Sequence, residues 1–321
     1  MKRKIALITV LSTLLSIMGL TLGGVASAAS TNLTANVSLS GTLLGGTNVT
    51  SATHIGPGQY EVTFNQNVTA CAYVATTNNA YSQAILVFTA GGHLSVNGVY
   101  VETKNQGGGL TDGPFSLSVN CGGTGLKFAV VGYTANLVRA TAGTTLGHPG
   151  MGKYRVTFSA SVKACAYLAT VGDPSNAIAL APNNVSTGSG ANAKQVYVET
   201  KNPGGGLSNG IPFHLSVVCT TTPNASEVVV NAAGLPVRGS ALTSSFNAST
   251  GEYVVATNRA VTPACARIVT RGSVNTAVPF DPATVELVAS PGSNTIGVEV
   301  RALLFFGGAL ANEAFHVAIL C

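Results

Sequence analysis

The sequence predicts an all-β protein: three tandem small β-sandwich domains, Ig-like or barrel-like, with one disulfide each, behind a cleaved signal peptide. Three observations carry this. Residues 196–219 read VYVETKNPGGGLSNGIPFHLSVVC, residues 99–121 read VYVETKNQGGGLTDGPFSLSVNC, and a diverged copy stands at 296–321. The six cysteines fall two to a repeat. Only 8 % of residues are charged, and Gly, Ala, Val, Thr, Ser and Asn dominate, a composition that suits short strands and tight turns better than helices rich in Glu, Lys and Leu.

The N-terminus reads as a targeting segment. Lys2, Arg3 and Lys4 form a basic region, residues 5–22 an apolar run, and Ala26, Ser27 and Ala28 a small-residue cleavage site, so residues 1–28 are assigned to a signal peptide. The apolar run is also long enough for an uncleaved anchor; the small residues that follow favour cleavage. The domains then span 29–121, 122–221 and 222–321. Without the three leading basic residues the formal net charge falls from +5 to +2. With no basic run left, neither nucleic acid nor, after signal cleavage, a membrane is expected as a partner.

Within each repeat the elements follow in a fixed order. Leu33, Ala35, Val37 and Leu39 alternate with polar residues, which predicts a half-buried opening strand. A Gly/Thr/Ser-rich connection leads to Tyr60, Val62 and Phe64 on one face of a second strand. A third strand runs Cys71-Ala72-Tyr73-Val74-Ala75-Thr76, and a hairpin with a wide glycine turn closes the repeat at Cys121. The second domain restates these at Phe128, Tyr154, Cys165 and Cys219. The third keeps the frame at Val228, Tyr253, Cys265 and Cys321, with Thr257 standing for Phe and Arg267 for Tyr. The short linkers, 122–126 and 220–226, favour a rod of touching units, with Gly122 and Gly123 as a hinge.

Six cysteines allow fifteen pairings. The repeat selects Cys71 with Cys121, Cys165 with Cys219, and Cys265 with Cys321, since each unit should close its own bond. Phe213, Leu215, Val217 and Cys219 share one strand face, so the closing cysteine points with the large apolar residues. Disulfides suit an exported chain, and the cysteine spacing offers no zinc or redox motif.

Other chemistry-bearing residues have structural readings. His54, His93, His148, His214 and His316 are scattered, and only His214 and His316 are read as equivalent, on the face opposite Phe and Cys. Glu102, Glu199 and Glu299 recur once per domain, too few for paired acid–base work; they are read as solvent-facing, paired along the strand with Lys104 or Lys201. The three aspartates, Asp112, Asp173 and Asp281, do not make a calcium site. Tyr60, Tyr154 and Tyr253 could stack on sugars, but their alternation with valine reads as core. No catalytic residue, cofactor or metal site is expected.

The succession Gly-X-Tyr-X-Val-X-Phe, Cys-Ala-Tyr-X-Ala-Thr, Val-Tyr-Val-Glu-Thr and Pro-Phe-His-Leu-Ser-Val-Val-Cys resembles a cysteine-paired β-repeat of exported bacterial proteins of unknown function. The resemblance covers all three units and is strongest over 152–219. It implies an extracellular β-domain and carries no catalytic residue. Two functions are therefore expected: a structural or adhesive cell-surface protein, secreted and able to self-assemble or hold a surface component, or an extracellular module that binds carbohydrate. One local feature bears on assembly. Leu303, Leu304, Phe305 and Phe306 replace the polar turn of the other repeats, and alternate side chains of a strand cannot all face one core, so either a contact patch or a local bulge covered by the second domain is expected there.

Overall fold

The computed structural model describes residues 32–78, 85–177, 181–240, 243–275, 283–289, 292–302 and 311–321. The expected signal peptide and the patch Leu303, Leu304, Phe305 and Phe306 lie outside the described residues. The protein is all-β, with no helix among the described residues.

Eight strands build domain 1: β1 (Leu33–Val37), β2 (Leu43–Thr47), β3 (Val49–Gly56), β4 (Gln59–Phe64), β5 (Ala72–Thr77), β6 (Leu86–Gly91), β7 (Gly98–Lys104) and β8 (Phe115–Asn120). Domain 2 repeats them as β9 (Leu126–Val131), β10 (Leu137–Ala140), β11 (Thr145–Gly150), β12 (Lys153–Thr157), β13 (Ala166–Val171), β14 (Asn184–Ser189), β15 (Gln195–Lys201) and β16 (Phe213–Val218). Domain 3 has β17 (Ala225–Val230), β18 (Pro236–Gly239), β19 (Thr243–Asn247), β20 (Glu252–Ala256), β21 (Ala266–Arg271), β22 (Ala283–Val288), β23 (Thr295–Ala302) and β24 (Phe315–Leu320). Each domain is a sandwich of two antiparallel four-stranded sheets, ordered β2-β1-β8-β5 and β3-β4-β7-β6 in domain 1 and likewise in the others.

The period-two alternation fills the space between the sheets. Tyr60, Val62 and Phe64 meet Leu33, Val37, Tyr73, Phe115 and Leu117 in one fully buried core, and the other two domains repeat it. The disulfides join Cys71–Cys121, Cys165–Cys219 and Cys265–Cys321. Each staples the start of one strand to the end of the neighbour it already pairs with, as Ala72 opposite Asn120 shows.

Three expectations are corrected. The two strands flanking each glycine triplet are not a hairpin: β7 lies in one sheet and β8 in the other. A tight turn does form, with the Gly109 N–H donating to Asn105 Oδ1 and the Asn105 N–H to Gly109 O, but the chain then crosses the sandwich. The Gly/Thr/Ser-rich connection after β1 is itself two strands, β2 and β3. Their half-exposed faces lack apolar alternation, so the sequence pattern passes over them. And β1 is buried along its whole length, because its polar face packs on another domain.

That contact decides the overall shape. The domains do not form a rod; they close around a pseudo-threefold axis along which β5, β13 and β21 converge. Val74, Leu168 and Ile268, one per domain and each 0 % exposed, form an apolar knot there with Leu126, Val218 and Leu320. Beside it runs a closed cycle of hydrogen bonds. Thr170 Oγ1 accepts from the Ala75 N–H at 2.9 Å and donates to its carbonyl. Thr270 does the same to Ala169, and Thr76 to Val269. Polar strand faces that read as solvated are thus satisfied by the neighbouring domain, as burial of hydroxyls and backbone amides requires.

Candidate functional site: the clefts between the domains

Three junctions hold the cluster together, and two share a construction. At the junction of domains 1 and 2, the buried imidazole of His214 accepts the Tyr73 N–H at Nδ1 (2.9 Å) and lies 3.0 Å from Asp173 O through Nε2. The ring stacks on Tyr73. Arg139 donates from Nε to Cys71 O and sits over the Tyr73 ring, 5.4 Å from its centre. At the junction of domains 2 and 3, His316, Tyr167, Ser273, Arg238 and Cys165 repeat these relations, with the imidazole tilted against the Tyr167 ring rather than stacked. With Nδ1 as acceptor, both imidazoles are neutral and carry their proton on Nε2. Burial, followed by the facing arginine, pushes both down to about 3.

The third junction, between domains 3 and 1, is rewritten. Strand register places Ser116 where the others have His214 and His316, Asn78 opposite their Gly172 and Gly272, and Asn36 opposite Val130 and Val229. Arg267 takes the place of the tyrosine, and Gly45 that of the arginine. The substitutions compensate one another. Asn36 Nδ2 donates to Pro263 O and Cys265 O, supplying the hydrogen bond that arginine gives elsewhere, and Asn78 Nδ2 reaches Ser116 Oγ in the space a histidine ring would fill. A side chain at Gly45 would run into the Pro263 carbonyl.

The same logic makes glycine obligatory beside each histidine. A Cβ on Gly172 would lie 2.7 Å from the His214 ring and 2.5 Å from Thr89 Oγ1. Gly172→Ala is therefore expected to lose about 1–3 kcal/mol by overpacking, where an unobstructed Gly→Ala gains stability. A urea midpoint at or above that of the wild type would refute this.

Two junctions open outward as clefts. The first, about 440 Å³, lies between domains 1 and 2 against Tyr73, His93, Leu94, Val96 and Ser175. The second, about 730 Å³, lies between domains 2 and 3 against Lys163, Tyr167, Asn192, Val237, Arg238 and Asn275. Burial lowers the pKa of Arg139, and Tyr73 and Asp173 oppose that; for Arg238 burial also lowers it, and only Tyr167 opposes. A small cavity of about 70 Å³ sits on the axis, lined by Thr76, Thr170 and Thr270.

The other residues singled out in the sequence fall as follows. Tyr60, Tyr154 and Tyr253 are core, each 0 % exposed, so none offers a face to a sugar. Cys71, Cys165 and Cys265 are buried, whereas Cys121 is exposed and Cys219 and Cys321 are half-buried. Glu102 and Glu199 are buried rather than solvent-facing, each accepting the hydroxyl of a tyrosine on its own strand, Tyr100 or Tyr197. Glu102 pairs with Lys104 at 2.8 Å and Glu199 with Lys201 at 3.6 Å. Tyr197 is pushed up to about 12 by burial and then by Glu199.

Domain 3 also places Glu252, Glu299 and Glu286 opposite one another on three adjacent strands. Sequence reading missed this row, since it becomes visible only when strand register is known. Glu252 is raised by burial and by Glu299.

His54 and His148 prove to be equivalent, a correction legible in their common spacing to Gly58 and Gly152. His54 Nε2 lies 2.8 Å from Asp112 Oδ1, which also accepts the Gly58 N–H; His148 meets Asn209 in the same way. Burial raises the Asp112 pKa, and the Gly58 and His54 hydrogen bonds outweigh it and bring it below its usual value. An amide serves as well as a carboxylate at this position, so the pair caps a turn rather than activating a nucleophile. Among the described residues, no group of three or more His, Cys, Asp or Glu is placed to hold a metal ion, and no helix is long and apolar enough to cross a membrane.

Against these features, comparison with protein-family models, curated proteins and solved structures finds no match to the chain.

Proposed function

We propose that the chain is an exported, non-catalytic binding protein that works outside the cell, with its ligands seated in the clefts between domains. The carrying observation is that two successive junctions keep one construction beneath clefts whose linings differ, while at the third Asn36 and Asn78 replace that construction. A rigid frame under variable rims is how binding proteins separate stability from specificity. Three disulfides fit an oxidising compartment outside the cytosol. Carbohydrate is the ligand class to test first, given the amide and hydroxyl groups at the rims.

A second reading, the structural or adhesive surface protein, draws support from another repeated feature. Leu44, Val138 and Val237 occupy one register position in the three domains, and all are exposed, at 57 %, 44 % and 48 %. Exposed aliphatics recurring on edge strands mark contact surfaces. The two readings separate cleanly with the full mature chain on a glycan array and in sedimentation velocity. Binding by a monomer supports the first. Reversible self-association that is lost on replacing Leu44, Val138 and Val237 with Ser, without array binding, overturns it in favour of assembly.

A further inference from the structure

We infer that the cleft between domains 2 and 3 is a site for an organic anion, a carboxylate carried on a largely apolar body. This rests on the binding-protein reading above and names the chemistry of one of its sites.

The cleft between domains 1 and 2 serves as an internal control. Behind that cleft a carboxylate, Asp173, stands near Arg139 without a direct ion pair and raises its pKa. Asp173 is itself 1 % exposed and held by Tyr133 and Ser175. At the equivalent position the second cleft has Ser273, aligned through Gly172 and Gly272, which bridge to Thr89 and Thr187 respectively. Ser273 keeps the local turn, accepting from the Asn275 N–H as Asp173 accepts from that of Ser175, but it carries no charge. Arg238 therefore keeps the position and hydrogen bonds of Arg139 without its carboxylate. Its Nη2, like that of Arg139, is buried without a hydrogen-bond partner, so the difference between the two junctions lies in the missing carboxylate.

A second change points the same way. Lys163 lines this cleft at the position where the first has Thr69. Two cations thus converge on a cleft whose lining contains no acid. A half-buried guanidinium without a counter-ion is costly, and an entering carboxylate relieves that cost while gaining charge-assisted hydrogen bonds. Lys163 is exposed and able to swing onto the same anion. The wall includes Ala164, Ala191, Ala193, Val237, Val274 and the Tyr167 ring, alongside Ser161, Ser189, Asn192 and Asn275, so the body of the ligand meets much apolar surface. A volume of about 730 Å³ suits a small molecule.

The test uses the full mature protein and three probes: 4-phenylbutyrate, its neutral amide, and glucuronate as a carboxylate on a polar body. Titration calorimetry with ligand-observed NMR is expected to show 4-phenylbutyrate binding at least about tenfold more tightly than the amide, the factor that about 1.4 kcal/mol of lost charge-assisted bonding represents. Glucuronate should bind more weakly than 4-phenylbutyrate. Ser273→Asp, which restores the missing counter-charge, should cost a similar factor. Lys163→Thr, a change at an exposed residue that leaves folding intact, should cost several-fold and reduce the salt dependence. Equal binding of acid and amide, unchanged affinity in Lys163→Thr, or no binding of either acid overturns the inference. If neutral saccharides still bind the array when both acids fail, the binding-protein reading survives and only the anion site is lost.

Discussion

Lowering the pH from 7 to 4 is expected to remove about 7 kcal/mol of stability through two residues, His214 and His316. Both are neutral and wholly buried at domain junctions, with folded values near 3 against 6.5 in the unfolded chain. A base whose folded pKa is depressed contributes its full stability above the unfolded value and loses it as pH falls. Each unit below about 6.5 costs about 1.4 kcal/mol per histidine, since only the unfolded chain takes up the proton. Two and a half units and two histidines give the figure above, against a total stability of about 5–15 kcal/mol for an ordinary domain. Protonation has no cheap outlet. Nδ1 already accepts the Tyr73 or Tyr167 N–H, and the facing Arg139 or Arg238 repels a second positive charge.

One buried acid works in the opposite direction. Glu227 is pushed up to about 7 by burial, so it destabilises at neutral pH and is relieved on acidification, which blunts the loss in domain 3. The junction between domains 3 and 1 carries Ser116, a group that does not titrate, in the corresponding place. Acid should therefore open the other two junctions first. Denaturant titrations at pH 7, 5.5 and 4 check this directly, with His214→Gln/His316→Gln as comparison. Glutamine keeps a donor and an acceptor but no titrating ring, so the variant's profile should be much flatter. A wild type equally stable at pH 7 and 4, or a double variant with the same acid loss, would refute the assignment.

Why these histidines read as unremarkable in the sequence is a physical matter. Alternation separates the two faces of a strand but says nothing about what covers the second face. Thr34, Asn36, Thr76 and His214 are polar, and polarity alone does not distinguish water from a hydrogen-bonding neighbour domain. The core was legible because Tyr60, Val62, Phe64, Phe115 and Leu117 declare it through period-two spacing. The strands over 43–56 were not, because glycine, threonine and serine pair by backbone and leave little side-chain signal. Assigning the strands around each glycine triplet to opposite sheets lay beyond local pattern as well, since a tight turn precedes both a hairpin and a crossover. The domain interface was partly recoverable. Tyrosine at 73 and 167 but arginine at 267, set beside glycine at 45 but arginine at 139 and 238, is a reciprocal exchange that marks a shared contact once register is known. The loss of the counter-charge, Asp173 to Ser273, could also be read by aligning repeats, but its meaning depends on the arginine that the fold brings to it.

The second large effect concerns the disulfides. Removing the central bond with Cys165→Ser/Cys219→Ser is expected to cost about 4 kcal/mol, the chain-entropy figure for a closed loop of roughly fifty residues; the separation here is 54. Structure adds a reason for the loss to spread. The carbonyls of Cys71, Cys165 and Cys265 each accept a hydrogen bond from the next domain, from Arg139 Nε, Arg238 Nε and Asn36 Nδ2 respectively. Each disulfide therefore fixes the corner that the neighbouring domain grips. Without the bond, the Cys165 corner frays and Arg238 loses an anchor that holds it over Tyr167. Hydrogen exchange should rise in β13 and β16, and also across the junction of domains 2 and 3 around Tyr167 and Ser273. The junction of domains 3 and 1, which depends on Cys265, should stay protected. In thermal unfolding the expected shift is about 7 °C if the cluster melts as one unit. Exchange confined to domain 2, with the Arg238 junction as protected as in the wild type, would show that the disulfides act inside their own sandwiches and leave the junctions to the threonine cycle and the apolar knot.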